Sequence, residues 1–267
     1  MMKIILSRKG FDSSTGGMPS PIMPDGTLLS LPIPDKDDEG NKFGSLHFNG
    51  QSYADIILSL KQNAKITPEK TCHLDPDLRR EAKERPGDWQ PAFGQMGSAL
   101  SELRNNGVGT GDLFLFFGLF RQTELFNGAL RFKRGSKPVH VIYGYMQVGK
   151  VIESKDNVPA WLAGHPHVAY NNAWNEHKNA IFLPTEKLSI ADGKAGSGTL
   201  YYRPDRVLTK EGMSWGRWDL PQFFRNVSIT HHPTPWREGY FQSAGRGQEF
   251  IMDGTPNIEE WAKSIIM

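Results

Sequence analysis

The chain has 267 residues with a formal net charge of +2, and 38% of its residues are hydrophobic while 22% are charged. This balance is that of an ordinary globular protein, and it excludes a disordered chain and a chain that binds partners through bulk charge alone. The single cysteine, Cys72, excludes an internal disulfide, and no apolar run approaches the roughly eighteen residues of a membrane-spanning helix. We therefore expect a protein of the reducing cytoplasm with no membrane partner.

An apolar strand and a long polar loop open the sequence. Residues 4–6 form the apolar run, and residues 7–26, SRKGFDSSTGGMPSPIMPDG, contain four glycines and three prolines, which disfavour regular structure. The loop also has hydroxyl side chains, carboxylates and a basic pair, a set suited to phosphate or sugar oxygens. Its candidate site residues are Asp12 and Asp25 as catalytic carboxylates, and Arg8, Lys9, Ser13, Ser14, Gly16, Gly17 and Ser20 as substrate-binding residues. The alternative is a capped turn in which Asp12 accepts hydrogen bonds from backbone amides.

Two helices are predicted in the first half of the chain. Residues 52–63 place apolar side chains at helical spacing behind a possible N-cap at Ser52. Residues 93–106 form the second candidate, which ends at Gly107 because glycine readily adopts the left-handed conformation that terminates helices. Neither helix carries a motif with a chemical role.

A polar segment between these helices, CHLDPDLR at residues 72–79, brings two aspartates close to a histidine. Asp75 followed by Pro76 favours a helix start, with the aspartate as N-cap and the proline in the first turn. The alternative is an Asp-x-Asp site of Asp75 and Asp77, which resembles the divalent-metal or nucleotide-sugar site of some glycosyltransferases. A later loop, residues 165–172, holds two histidines and two asparagines and suits polar recognition without indicating a ligand.

The centre of the chain is rich in aromatic and β-branched residues and predicts two long strands. Residues 113–120 are apolar after a Gly-Asp turn, and residues 139–151 form a second apolar run that contains Gly144 and Gly149. Glycine within a strand indicates a bulge or a close approach of backbone, so we expect the sheet to curve. We predict an α+β fold with a curved or barrel-like mixed sheet flanked by a few helices, in one domain that covers residues 1–267.

The C-terminal segment, SITHHPTPWREGYFQSAGRGQEFIMD at residues 228–253, is the second candidate site. Its candidate residues are Glu249 as a catalytic carboxylate, and His231, His232, Arg246 and Gln248 as substrate-binding residues. A guanidinium, an amide and a carboxylate suit sugar hydroxyls or a base edge, although Arg246 and Glu249 are equally consistent with a surface ion pair. Adjacent histidines of a strand point to opposite faces, and the chain has neither a cysteine cluster nor an HExxH motif, so we predict no metal and no cofactor.

Three segments carry a resemblance to a known family. The opening block MKIILSRKGFDSSTGGMPSPIMPDGTLLSLPIPD, the middle segment CHLDPDLR and the closing GRGQEFIMD resemble the nucleotide modification associated domain, type three, of bacteria and phages. The central strands also resemble those of the PUA-like barrels (PUA, ASCH and EVE domains), which bind RNA or modified bases in a pocket. The first resemblance implies a setting of hypermodified DNA, whose altered bases such a protein makes, reads or attacks.

These observations lead to three functional hypotheses. The first is an enzyme that flips a hypermodified base, such as glucosylated hydroxymethylcytosine, out of DNA and excises it as a DNA N-glycosylase, in defence against phages. It ranks first because the opening loop combines hydroxyls and amides with carboxylates, which stabilise the positive charge that develops on the sugar. The second hypothesis is a non-catalytic reader of the same bases, and the third is a transferase that installs part of the modification. The expected partner in each case is DNA that contains hypermodified bases.

Overall fold

A nine-stranded mixed sheet, curled into a half-barrel, organises the fold, which is α+β as the sequence predicts. The computed structural model describes residues 1–12, 14–35, 40–169, 174, 178–230, 234–244 and 249–267. The central strands, in spatial order, are β17 (Glu249–Asp253), β1 (Lys3–Arg8), β9 (Leu113–Phe126), β11 (Val139–Ile152), β12 (Asn179–Pro184) and β8 (Phe93–Met96). Three further strands extend this sheet: β2 (Ser20–Ile22) and β10 (Ala129–Phe132) pair with β9, and β13 (Ser197–Thr199) pairs with β11.

Smaller sheets lie beside the large one. They are formed by β3 (Ile33–Pro34), β7 (Thr71–His73) and β4 (Asn41–Lys42), by β5 (His47–Phe48) and β6 (Gln51–Ser52), and by β14 (Arg217–Trp218), β16 (Tyr240–Gln242) and β15 (Trp236–Arg237). Strand β7 leads into the segment after residue 73, which contacts β8 at the edge of the large sheet through the Gly94 amide and the Asp75 carboxylate.

Side chains of β1 and β9 are buried on both faces of the large sheet. Successive residues of a strand point to opposite faces, so Ile4 and Ile5 enter different cores. Ile4 packs in the core that contains Trp218, whereas Ile5 packs with Phe93 and Phe114. Burial on both faces explains why these strands are continuous apolar runs in the sequence.

The two long central strands confirm the sequence prediction, including the bulges. The pairing of β11 with β9 shifts register between Ile142 and Gly144, and its pairing with β12 shifts between Val148 and Lys150. A side chain at Gly149 is excluded, since a Cβ there would lie 2.6 Å from the carbonyl oxygen of Pro184. The bulges increase the local twist, in agreement with the curl of the sheet.

Four helices occur among the described residues: α1 (Tyr53–Leu60), α2 (Gly97–Asn105), α3 (Pro166–Ala169) and α4 (Pro256–Ile266). The Ser52 side chain caps α1 by accepting a hydrogen bond from the Asp55 amide, as predicted. The predicted start of α2 is wrong, because Phe93–Met96 pairs with β12 as β8 instead of joining the helix. None of the described helices has the length and apolar character needed to cross a membrane.

The predicted helix start at Asp75 is wrong. Chain direction changes after β7, and the Asp77 amide donates to the carbonyl oxygen of Ala92 at 2.9 Å in an isolated bridge. The Asp77 carboxylate is held by both terminal nitrogens of Arg85, each at 2.6 Å. Asp75 and Asp77 therefore have separate roles, and the segment is neither a helix N-terminus nor a shared Asp-x-Asp site.

Candidate functional site

A cleft of about 630 Å³ opens where β1 ends and β17 begins. Arg8 enters it from the end of β1, Lys9 from the position directly after β1, Glu249 from β17 and Asp12 from the opening loop. The cleft thus brings together the two polar segments that the sequence indicates at opposite ends of the chain. Its volume lies within the range of about 300–1,000 Å³ typical of small-molecule sites, which is enough for a nucleotide unit.

Glu249 is a buried carboxylate with one oxygen in use and one oxygen unused. Its Oε1 accepts three hydrogen bonds, from Lys9 Nζ at 3.2 Å, Gln95 Nε2 at 2.5 Å and Ser7 Oγ at 3.1 Å. Its Oε2 has no hydrogen-bond partner among the described residues, although the side chain is only 1% exposed. A buried polar atom without a partner costs free energy, so Oε2 is a candidate contact for a group that binds in the cleft.

The amine that pairs with Glu249 is itself largely desolvated. Lys9 is 9% exposed, and its Nζ lies 4.6 Å from the centre of the Phe93 ring. Both partners of the ion pair are therefore removed from water and depend on each other for stabilisation.

Two histidines and an aspartate meet elsewhere on the cleft wall. The Nε2 atoms of His73 and His167 are 3.2 Å apart, and Asp75 Oδ2 lies 3.9 Å from His167 Nε2. Asp75 Oδ1 accepts a hydrogen bond from the Gly94 amide at 2.7 Å and lies 3.5 Å from His165 Nε2. β8 connects the two parts of the cleft, because its Gly94 contacts Asp75 while the next residue contacts Glu249.

The charge states of this cluster follow from burial and from its neighbours. Burial lowers the pKa of His167 to about 4, with Asp75 opposing and the neighbouring histidines adding to the shift. Burial alone would raise the pKa of Asp75, but the contact with His165 and the charges of His167 and Lys9 outweigh it and lower the pKa. At neutral pH the cluster therefore contains a neutral His167 and an ionised Asp75.

Asp12 lies at the rim of the cleft and closes a turn. Its Oδ1 accepts hydrogen bonds from the amides of Ser14 and Thr15 and from the Ser14 hydroxyl, at 2.7–2.8 Å. Burial opposes ionisation of Asp12, but these bonds and the charge of Arg8 outweigh it and lower its pKa. The amide of Gly17 donates to the carbonyl oxygen of Asp12, so the amides of Ser14, Thr15 and Gly17 are satisfied inside the loop. The structure therefore shows the capped turn, which was the alternative interpretation of the loop sequence. Asp12 and Ser14 also line the cleft.

Other loop residues named from the sequence serve the loop itself. Asp25 accepts from the Thr27 amide at 2.9 Å in a separate turn, and Ser20 is buried with its Oγ accepting from the Leu31 amide. A Cβ on Gly16 would meet the Phe11 ring at 2.4 Å, and the Gly17 carbonyl accepts from Lys61 Nζ. Ser13, His231, His232, Arg246 and Gln248 lie outside the described residues.

The comparison with protein families adds an independent finding. The family model described as nucleotide modification associated domain 3 matches residues 3–253. The chain belongs to this family. A search of curated proteins and a search of solved structures found no match. Membership of the nucleotide modification associated domain 3 family connects the chain with nucleotide modification.

In this family member, sequence reasoning missed the residues that converge on Asp75. His167 follows Asp75 by 92 positions and reaches it from α3, and Gln95 reaches Glu249 from β8. The segment CHLDPDLR contains His73 and Asp75, but their partner His167 lies in a separate segment, and the number of residues between them matches no known motif. The prediction of no metal was based on the geometry of His231 and His232 and on the lack of a cysteine cluster. It did not take into account that His73, Asp75 and His167 meet.

Proposed function

We propose that the chain is a DNA N-glycosylase, which binds a flipped hypermodified nucleotide in the cleft and releases its base by hydrolysis. The family supports an association with nucleotide modification, and the cleft has the volume of a nucleotide site. The observation that carries the proposal is Glu249, a buried carboxylate that lines the cleft and whose Oε2 has no hydrogen-bond partner among the residues that the structure describes.

The proposed reaction needs a negative charge near the sugar. As the bond between C1′ and the base nitrogen breaks, positive charge develops on the sugar, and the electron pair of that bond leaves with the base. Glu249 Oε2 stabilises this charge and accepts a proton from the attacking water, whose oxygen bonds to C1′. The departing base takes up a proton, so the products are a free base and an abasic site. Lys9, Gln95 and Ser7 fix Oε1 and thereby orient Oε2.

A cationic group of the cleft suits the phosphates that flank the flipped nucleotide. Arg8 lines the cleft and is only partly buried, and cations close to DNA phosphates supply most of the sequence-independent affinity. The first turn of α2 also borders the cleft through Ser98 and Ala99, and its N-cap residue Met96 provides no side-chain cap. The amide end of a helix favours negative charge, which reinforces this preference.

The test is incubation of the purified chain with DNA that contains glucosylated hydroxymethylcytosine and with the same DNA unmodified. We expect release of the modified base, detected by mass spectrometry, and alkali-sensitive sites only in the modified DNA. The Glu249→Gln variant should lose about 10²–10⁴-fold in turnover while it retains DNA binding. Asp253→Asn is the matched control, because it removes an exposed carboxylate from the same strand.

Other results would contradict the proposal. Binding of modified DNA without base release would support the reader, and release that persists in Glu249→Gln would remove Glu249 from the chemistry. The transferase has less support, since Asp77 is bound to Arg85 and leaves Asp75 without an acidic partner from its own motif.

A further inference from the structure

We propose that His73, Asp75 and His167 bind one divalent first-row transition metal ion in the wall of the cleft. The inference goes beyond the proposed glycosylase, whose chemistry as described uses no metal. It concerns cation binding and does not rest on base excision, because its test measures the metal itself.

The spacing of the donor atoms fits a single ion. The three ligand atoms all lie within 4.8 Å of one another, and the two Nε2 atoms are 3.2 Å apart. Two nitrogen ligands of a tetrahedral ion, each about 2.0–2.1 Å from it, are separated by about 3.3–3.4 Å. Asp75 Oδ2, at 3.9 Å from His167 Nε2, needs only a small movement to complete the set.

The second nitrogen of each imidazole lies near an oxygen, which is an amide oxygen at hydrogen-bond distance beside His167 and a carboxylate oxygen slightly farther away beside His73. His167 Nδ1 lies 2.7 Å from Asn179 Oδ1, and the Asn179 amide nitrogen donates to the His167 carbonyl, which identifies the oxygen of that side chain. His73 Nδ1 lies 3.6 Å from Asp35 Oδ2. Both neighbours favour the tautomer with the proton on Nδ1, and this leaves the lone pair on Nε2.

Two such lone pairs directed at each other at 3.2 Å repel unless a positive charge lies between them. The alternative to a metal is a proton, which would make one of the two rings a donor to the other. A carboxylate beside the pair, with Oδ1 held by the Gly94 amide and Oδ2 turned toward His167, favours a doubly charged cation over a shared proton.

The surrounding backbone leaves room for this arrangement. A Cβ on Gly94 would lie 2.2 Å from His167 Cδ2, so a side chain at this position of β8 would displace the ring. Gly94 therefore makes space for the His167 ring, and its amide also donates the hydrogen bond that orients Asp75.

The donor set indicates the class of metal. Imidazole nitrogens suit zinc, iron, copper and nickel, whereas magnesium and calcium prefer sites made of oxygen alone. Two histidines and one carboxylate leave at least one coordination position open, and all three residues line the cleft. The proposed ion would therefore lie beside the space in which a nucleotide would bind.

The test uses the full chain after removal of metal with a chelator. It is titrated with Co²⁺, followed by its visible absorption bands, and then with Zn²⁺ and Mg²⁺ by calorimetry. We expect one Co²⁺ per chain, displacement by Zn²⁺ and no comparable binding of Mg²⁺. His73→Gln and Asp75→Asn should each weaken Co²⁺ binding by at least about 100-fold, more than the 10–100-fold typical of residues that only orient a ligand. Exposed His47→Gln is the matched control and should bind like the parent chain.

Two results would overturn the proposal. One is the absence of cobalt absorption bands, or equal affinity for Mg²⁺, in the parent chain. The other is cobalt binding that persists in both ligand variants, which would place the ion elsewhere. Circular dichroism without metal checks that the variants fold. If His73→Gln does not fold, Asp75→Asn still tests the site, because asparagine has the shape of the aspartate side chain. Because no DNA is present, failure here leaves base excision as a separate question.

Discussion

Two concavities on this molecule differ more in their buried polar groups than in their size. The groove, defined as the concavity bordered by Val139, Leu208, Lys210, Trp261 and Ile265, has about 800 Å³, whereas the cleft has about 630 Å³. Charged side chains of the groove remain solvated, as Lys210 and its neighbour Asp219 at 3.9 Å are 33% and 66% exposed. In the cleft, Lys9 and Glu249 form a closer pair at 3.2 Å and are almost fully buried.

The difference favours the cleft over the groove as the candidate functional site, because of its desolvated polar groups rather than its volume. Burying charges without full compensation costs stability, and such groups are concentrated where proteins carry out chemistry. The groove lacks a comparable buried cluster among the described residues that line it.

Replacement of the lysine in each concavity should have the largest effect, because it tests directly whether the charges of the cleft are buried and those of the groove are solvated. Lys9→Met leaves Glu249 buried without its ion-pair partner, and we expect a loss of about 3 kcal/mol in the free energy of unfolding, the lower end for broken buried pairs. This lower end applies because Ser7 and Gln95 still donate to Glu249. Lys210→Met should change stability by less than about 1 kcal/mol, because Lys210 is partly solvated and solvated ion pairs contribute little. Urea unfolding of the two variants measures the difference.

A double variant separates charge from packing at Lys9. Adding Glu249→Gln to Lys9→Met removes the buried negative charge, so part of the lost stability should return. Equal losses in the two lysine variants, or no recovery in the double variant, would show that the cleft pair resembles the surface pair of the groove.

A second prediction concerns His140, a histidine that is buried against Trp218. Burial, aided by the charge of Arg8 and opposed by Asp12, lowers the pKa of His140 from 6.5 to about 3. The unfolded chain protonates this residue below pH 6.5 while the native chain does not, so its contribution to stability is lost as pH falls from 6.5 toward 3. The slope is about 1.4 kcal/mol per pH unit, or about 2 kcal/mol between pH 6.5 and 5.

Urea unfolding at pH 6.5 and pH 5 measures this contribution. His140→Gln should reduce the difference between the two pH values by about 2 kcal/mol, because it removes the titrating ring. Exposed His47→Gln is the control and should leave the difference unchanged. An unchanged pH dependence in His140→Gln would mean that the ring is protonated in the native protein.

The sequence predicted the parts of the fold that local patterns determine. Strands β9 and β11, their glycine bulges and the N-cap at Ser52 follow from residue types within a few positions of one another. The start of α2 was missed because Phe93–Met96 becomes a strand only by pairing with β12, which lies more than 80 positions later. Helix α4 was not predicted, although Thr255 and Pro256 form an N-terminal signal for it.

The site was less predictable than the fold because it depends on contacts distant in sequence. Asp12 and Glu249 were named from two polar segments that the cleft brings together. The bonds to Glu249 from Ser7 and Gln95, and the approach of His167 to Asp75, come from three-dimensional pairing that no spacing encodes. A single sequence indicates which groups have suitable chemistry but does not indicate which of them meet.

The smallest expected effect distinguishes the two loop carboxylates that the sequence treated alike. Asparagine keeps an oxygen that accepts from backbone amides, so Asp12→Asn and Asp25→Asn should both retain their turns, with changes in stability below about 0.5 kcal/mol. The negative charge is lost in both, but only Asp12 lines the cleft. Base excision should therefore slow about tenfold in Asp12→Asn, which corresponds to about 1.4 kcal/mol, and remain unchanged in Asp25→Asn. Single-turnover rates with modified DNA measure both effects, and equal slowing in the two variants would mean that overall charge, rather than position at the cleft, determines the rate.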